Sequence, residues 1–204
     1  MGDRPMMKFV SCLMLTCAAF ASPVAAQQIT ASAGAPKSGQ TSPFVPAGFA
    51  PPKLVETARF KLVPFSPALV DVDFKAYMSS TEHLQRTFSR STNWPREGIT
   101  HADAMKDMEN EQARFTSGRS FDYSVLAPDG SRELGSVYIS PSRVAGYDAV
   151  VRIWVTKDQY DAGFDAELYA WVSNWVQTAW PFEKVAYPGR AIDWQTWDRL
   201  AAAK

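Results

Sequence analysis

The stretch from Val150 to Trp180, VVRIWVTKDQYDAGFDAELYAWVSNWVQTAW, constrains the fold most. Val150 to Val155 is a short, nearly continuous apolar run bounded by polar residues, the pattern of a buried strand. From about Asp161 to Trp180 the apolar residues Phe164, Leu168, Trp171, Val172, Trp175 and Val176 recur at helical spacing. Gly163 lies between the two periods and predicts a turn. A strand that runs through a glycine turn into a long helix needs a sheet to receive it. It also aims free backbone N–H groups and the positive end of the helix dipole at whatever precedes the helix, which makes an anion notch. The side chains there pull the other way: Asp158, Asp161 and Asp165 crowd the turn, and locally only Lys157 opposes them.

The bulk of the chain narrows the classes of function. Its 204 residues suit one domain, and a formal net charge of zero gives no field to steer nucleic acid or an anionic membrane surface to it. Residues 1–26 predict a secretory signal. Arg4 and Lys8 precede the apolar run Phe9 to Ala21, which is too short to span a bilayer, and Val24-Ala25-Ala26 supplies small residues before Gln27. A periplasmic or secreted protein is expected. Both cysteines, Cys12 and Cys17, lie inside that segment, so the mature chain has no disulfide, no thiolate nucleophile and no cysteine metal site. No later run is apolar enough to suggest a membrane span. Residues 27–53 are rich in Ala, Ser, Gly and Pro, without an apolar period, and predict an extended or disordered tether. The folded domain is expected over 54–204.

Within that domain Arg59 to Val63 alternates as a strand. Ser66-Pro67 opens a helix carrying Leu69, Val70, Asp73, Phe74 and Tyr77, and a second helical piece covers Thr81 to Phe88. Thr100 with Asp103 caps a helix running to about Ser117. Ser120 to Ala127 and Glu133 to Ile139 alternate around Pro128-Asp129-Gly130-Ser131, a hairpin in which Glu133, a further carboxylate, is expected to face solvent. Tyr147 to Val155 is the next strand, followed by the long helix. Lys184 to Tyr187 is a final strand, and Ile192 to Ala203 a closing helix with Trp194 and Trp197. The order predicts an α/β (α+β) fold with a central mixed, mostly antiparallel sheet flanked by helices.

This order resembles the GNAT superfamily of N-acetyltransferases over roughly Leu54 to Tyr187. The likeness is carried by RFKLVPFSP, by the hairpin FDYSVL–PDGS–RELGSVYI with Gly135, and by the strand–glycine–helix unit. The resemblance implies an acetyl-CoA donor held between the fourth strand and the helix that follows, by the backbone of Val155 and Thr156 with Lys157 and Gly163 nearby. The family's turn reads Arg/Gln-x-x-Gly-x-Gly/Ala. Here Gly163 matches, Tyr160 stands at the Arg/Gln position and Asp165 at the Gly/Ala position. Bulk and negative charge at Asp165 predict a weakened hold on the pyrophosphate.

Acyl transfer to an amine needs a base and often an acid. The resemblance points to Tyr187 as the acid, and Asp148, on the strand before the notch, is a candidate base. His83 and His101 lack partners at metal-ligand spacing, so no metal is expected, and no G-x-S-x-G elbow supports a hydrolase triad. Two functions stay open: an N-acyltransferase, and a non-catalytic module of the same fold that binds a small ligand or a protein partner, with Trp171, Trp175, Trp194 and Trp197 as its surface if they are exposed.

Overall fold

In the computed structural model, residues 43–203 are described. Strand β1 (Val55–Glu56) and β2 (Lys61–Pro64) lead through a 3-10 turn (Pro67–Leu69) into α1 (Val70–Met78). Helix α2 (Thr81–Leu84) continues as a π-helical turn (Gln85–Ser89), and α3 (His101–Thr116) follows. Then come β3 (Phe121–Leu126), β4 (Glu133–Pro141), β5 (Ala149–Val155), α4 (Lys157–Asp161), α5 (Phe164–Ala179), β6 (Val185–Ala186) and α6 (Trp194–Ala202). The six strands lie in sequence order in one sheet. Neighbours are antiparallel except β5 and β6, which the α5 crossover makes parallel. The expected α/β architecture with a mixed, mostly antiparallel sheet is what the chain adopts. Among the described residues no helix is long and apolar enough to cross a membrane.

Each face of the sheet has its own helices. Phe164, Leu168, Val172, Trp175 and Val176 of α5 pack on Phe121, Tyr123, Val125, Val137, Ile139, Val151 and Ile153. The intervening strand residues face α1 and α3. Cross-strand register aligns Asp122 with Tyr138 and Arg152, and Ser124 with Ser136 and Trp154. These polar positions are not in water: Asp122, Ser124 and Ser136 are all buried. A bulge at Val125/Leu126 changes the register and leaves Leu134 in the α5-side core. Glu133, expected to face solvent, is only 4% exposed and accepts a 2.7 Å hydrogen bond from Ser136 Oγ. Alternation marks two faces, and here the polar face is covered by helices.

Three boundaries differ from expectation. The long helix starts at Phe164, with Gly163 at φ 80° as its N-cap, and the expected turn before it holds the short helix α4. The closing helix begins at Trp194, with Asp193 Oδ1 accepting from the Thr196 N–H at 2.9 Å. The packed region reaches back into the expected tether: Phe44 stacks on Phe121 and Phe182, Phe49 leans on Trp180, and Tyr123 donates a 2.9 Å hydrogen bond to the Pro52 carbonyl. Proline forbids a helix there, yet two phenylalanines suffice to dock an extended strap on an aromatic cluster. The expected signal, residues 1–26, and the first part of the tether lie outside the described residues.

Gly135 sits where β4 crosses β5. A Cβ built on it falls 2.1 Å from the Trp154 carbonyl oxygen. Gly135→Ala is expected to destabilise the fold by about 1–3 kcal/mol, read from urea unfolding, because backbone rather than a yielding side chain blocks the methyl.

Candidate active site

The site begins where two strands part. Strand β6 pairs with β5 only through Ala149↔Val185 and Val150↔Ala186, whereas β4 stays paired as far as Val155. Beyond Val150, β5 therefore has one paired edge and one open edge. The Thr156 N–H donates to Leu134 O at 2.9 Å, and the Trp154 carbonyl lies over Gly135. Strand alternation turns the N–H and C=O of Ile153 and Val155 toward the open side. The opening is a cleft of about 320 Å³ between β5, the π-helical turn, the start of α5 and Pro188–Trp194.

Arg86, Arg152 and Arg190 line this cleft against one carboxylate, Asp165. Asp165 is held by Arg190 through both guanidinium nitrogens, with Nη2 at 2.7 Å from Oδ1. Asp161 takes Lys157 Nζ at 2.6 Å, and Asp158 takes Arg132 Nη1 at 3.2 Å. The expectation that Lys157 alone opposes three aspartates is thus corrected: each has its own cation. Two of those cations arrive from other elements, Arg132 from the β3–β4 hairpin and Arg190 from beyond β6. His83, its ring tilted against that of Tyr160 in the same cleft, has its pKa lowered by burial and by Lys157.

The expected donor-binding residues divide. Val155 brings its backbone to the open edge. Thr156 does not: its N–H is used by Leu134 O and its hydroxyl donates to Asp158 Oδ1 at 2.5 Å. The Lys157 N–H donates to Ser80 Oγ at 2.9 Å, so this amide too is committed to the fold. Gly163 has open space about its Cα and heads α5, which no side chain caps.

The expected catalytic pair is not assembled here. Asp148 lies at the opposite end of β5, where Oδ2 accepts the N–H groups of Glu183 and Lys184, each at 2.8 Å. Those amides hold its carboxyl below the usual range, and a carboxylate so occupied is a poor base. It anchors β6 instead. Tyr187 is buried in the α5-side core, edge-on to Tyr169, and is not among the side chains lining the cleft. Burial, then Tyr169, push its hydroxyl up to about 12.

A second cavity, of about 380 Å³, opens on the other side of Arg152 and Phe88, which line both. Its walls are Phe65, Tyr77, Trp94 and Tyr138, and its carboxylates are Asp73, Asp107 and Glu111. Asp73 projects from the buried stripe Val70, Asp73, Ala76 and Tyr77 of α1. Burial, then Asp107 and Glu111, raise its pKa to about 7, and it accepts no hydrogen bond from the described residues to offset them. Arg152 reaches in from β5. Its guanidinium lies 4.1 Å from the centre of the Phe88 ring and donates to the Phe88 carbonyl. Among the described residues it forms no ion pair with a carboxylate, and burial lowers its pKa. Sequence reasoning passed over both residues. The available signals were a carboxylate at an apolar position of α1 and an arginine inside the apolar run VVRIWV. Among the described residues no three His, Cys, Asp or Glu side chains are grouped to hold a metal ion.

Helix α6 closes one side of the first cleft. Trp194 lies so close to Gly189 that a Cβ there would fall 2.5 Å from the indole, while Arg90 covers the ring at 4.6 Å and clamps Asp198 at 2.9 and 2.7 Å. Trp175 is buried and Trp171, Trp194 and Trp197 are half-buried. They form no exposed tryptophan surface.

No family model and no curated protein matches this chain. Solved structures do. The ribosomal-protein-S5-alanine acetyltransferase of Vibrio fischeri aligns with 74% of this chain and 80% of its own, at 12% identity and a TM-score of 0.54. A Bordetella pertussis protein assigned to the GNAT family of acetyltransferases aligns with 67% of this chain and 77% of its own, at 18% identity and a TM-score of 0.46. The ribosomal L7/L12 α-N-protein acetyltransferase RimL, in complex with coenzyme A, covers 60% of this chain and 67% of its own, at 13% identity and a TM-score of 0.48. The chain has the fold of the GNAT acetyltransferases.

Asp73 yields a test by linkage. Its folded pKa, about 7, lies above the ordinary aspartate value of 3.8, so between those pH values the folded chain binds the extra proton and loses stability as pH rises. Asp73→Asn is expected to leave the melting temperature unchanged at pH 4 and to raise it by several degrees at pH 8. The gap should open between the two pKa values and stay constant above pH 7.

Proposed function

We propose that this chain is an exported N-acyltransferase, periplasmic or secreted, that moves an acyl group from an acyl-CoA thioester to an amine. The observation that carries this reading is the meeting of two unlike cavities at Phe88 and Arg152. One has an open strand edge, three arginines and the uncapped start of a 16-residue helix. That set fits a donor with an amide-bearing arm and phosphate groups: the Ile153–Val155 edge suits the amides, and Arg86 and Arg190 with the α5 terminus suit the phosphates. The donor supplies an activated acyl carbon. Everything else must come from the chain.

The other cavity offers an unpartnered carboxylate amid aromatic walls. An amine is protonated at neutral pH and must lose a proton before its nitrogen can attack. Asp73, with a pKa near 7, is matched to that task. The groups around it are Tyr77 on its own helix, Asp107 and Glu111 on α3, Glu133 and Tyr138 on β4, and Arg152 on β5. Asp107 and Glu111 raise its proton affinity, and among the described residues Arg152 is the cation that lines the same cavity. Tyr77 stays protonated, since burial and Asp73 push its hydroxyl above the usual range. The new carbon–nitrogen bond forms as the carbon–sulfur bond breaks, and the thiol leaves with a proton.

The test is thiol release from acetyl-CoA across a panel of primary amines, with the purified chain. Turnover is expected to rise with pH through about 7 and then level, because protonated Asp73 cannot accept a proton. Asp73→Asn should lower it by about 10²- to 10⁴-fold and abolish that rise. Arg86→Ala should weaken coenzyme A binding about five- to tenfold in calorimetry. A folded chain that binds no coenzyme A would reject the transferase and leave the non-catalytic binding module.

A further inference from the structure

We infer that the cavity beneath α1 and α3 takes an amine that also carries a carboxylate, an amino acid with an aromatic or other large apolar side chain, with its ammonium at Asp73 and its carboxylate at Arg152. The inference rests on the transferase reading for its use of the cavity, and it adds the class of acceptor.

Two opposite charges line one cavity without meeting. Asp73 is 7% exposed and accepts no hydrogen bond from the described residues. Arg152 is half-buried on β5, opposite Tyr138, and its contacts are a neutral carbonyl and the faces of Phe88 and Trp194. A guanidinium withdrawn from water is ordinarily matched by an anion, and a withdrawn carboxylate by a cation. The fold supplies neither match, although α1 and β5 bring both groups to the same space. Glu111 is not the missing partner, because it pairs with Arg114.

A ligand with one positive and one negative end completes both. A simple amine would satisfy Asp73 and leave Arg152 as it is, and a simple carboxylate would do the reverse. Phe65, Tyr77 and Trp94 then set the body between the charges: their surfaces reward apolar or aromatic mass and favour an ammonium over a ring face. An Arg fork against a carboxylate also adds directional selection that a lone carboxylate base lacks.

Three probes with the same phenyl body separate these contributions: L-phenylalanine with both charges, phenethylamine with the ammonium alone, and 3-phenylpropanoate with the carboxylate alone. Calorimetry on the full chain, with no thioester present, is expected to rank phenylalanine at least tenfold tighter than either single-charge probe. Arg152→Met should bring phenylalanine down to the level of phenethylamine and leave phenethylamine itself within twofold. Asp73→Asn should do the converse, bringing phenylalanine down to the level of 3-phenylpropanoate. Phenylalanine binding no better than phenethylamine to the wild-type chain would overturn the inference, and that comparison needs no variant to fold. So would an Arg152→Met chain, folded by its melting curve, that weakens all three probes alike. Because no donor is present, loss of this ranking is distinct from failure to bind coenzyme A or to turn over.

Discussion

The site depends on β5 and β6 touching at two residue pairs and no more. Asp148 holds the start of β6 through the amides of Glu183 and Lys184, and α5 fills the space beneath both strands. With one end pinned, the rest of β5 is free to follow β4, and the sheet's twist carries the two strands apart. The parting leaves backbone groups of Ile153 and Val155 without a strand partner, in a place walled by protein. Unpaired backbone in such a place is costly unless water or a ligand satisfies it. A cleft of this kind is therefore a binding feature before any side chain is considered.

The second feature is the polar face of the sheet. Asp122, Ser124, Glu133, Ser136 and the Arg152–Tyr138 pair sit beneath helices, with buried Asp73 of α1 among those that cover them, where apolar residues would be more stable. Two of the carboxylates escape most of the penalty by staying neutral. Burial and Glu111 raise Asp122 to about 9, and burial pushes Glu133 well above its ordinary range. Asp73 is different, because its rise stops near neutrality. It is the member of the group that can change its charge at a working pH, and it lines the aromatic-walled cavity. Stability given up in a particular place, with a cavity beside it, is the usual mark of function.

How much of this was legible in the sequence follows from the range of each signal. The capping box at Thr100 and Asp103, the Pro128–Ser131 turn and the strand–glycine–helix unit are local, and the elements form where their residues predict. The donor-side residues were legible only in part. Val155 and Gly163 depend on local geometry, whereas the amides of Thr156 and Lys157 are claimed by Leu134 and Ser80, far away in the chain. Tyr187 and Asp148 carried the right chemistry, but where a strand end faces is decided by packing on Tyr169 and by the Glu183 turn. The alternation of FDYSVL and ELGSVYI identifies two faces without saying what covers the second. Glu133 looked solvated for that reason, and Asp73 on α1 looked like one more helical position.

The three aspartates of the α4–α5 turn show the same limit from the electrostatic side. By sequence neighbours alone they form a repulsive cluster before a helix, hostile to phosphate. In the fold they are three separate ion pairs, and Asp165 is the one that matters, since Arg190 grips it inside the cleft. A bidentate pair at the head of α5 is an internal stand-in for the anion that such a helix start attracts. An incoming phosphate would meet Arg190 already positioned and would compete with Asp165 for it, with Arg86 supplying charge that Asp165 does not cancel. The pair sets a threshold for an anionic ligand without closing the cleft to it. The affinity of this cleft for an anionic ligand then reflects a competition between two anions for one guanidinium, and not the repulsion that the local sequence implies.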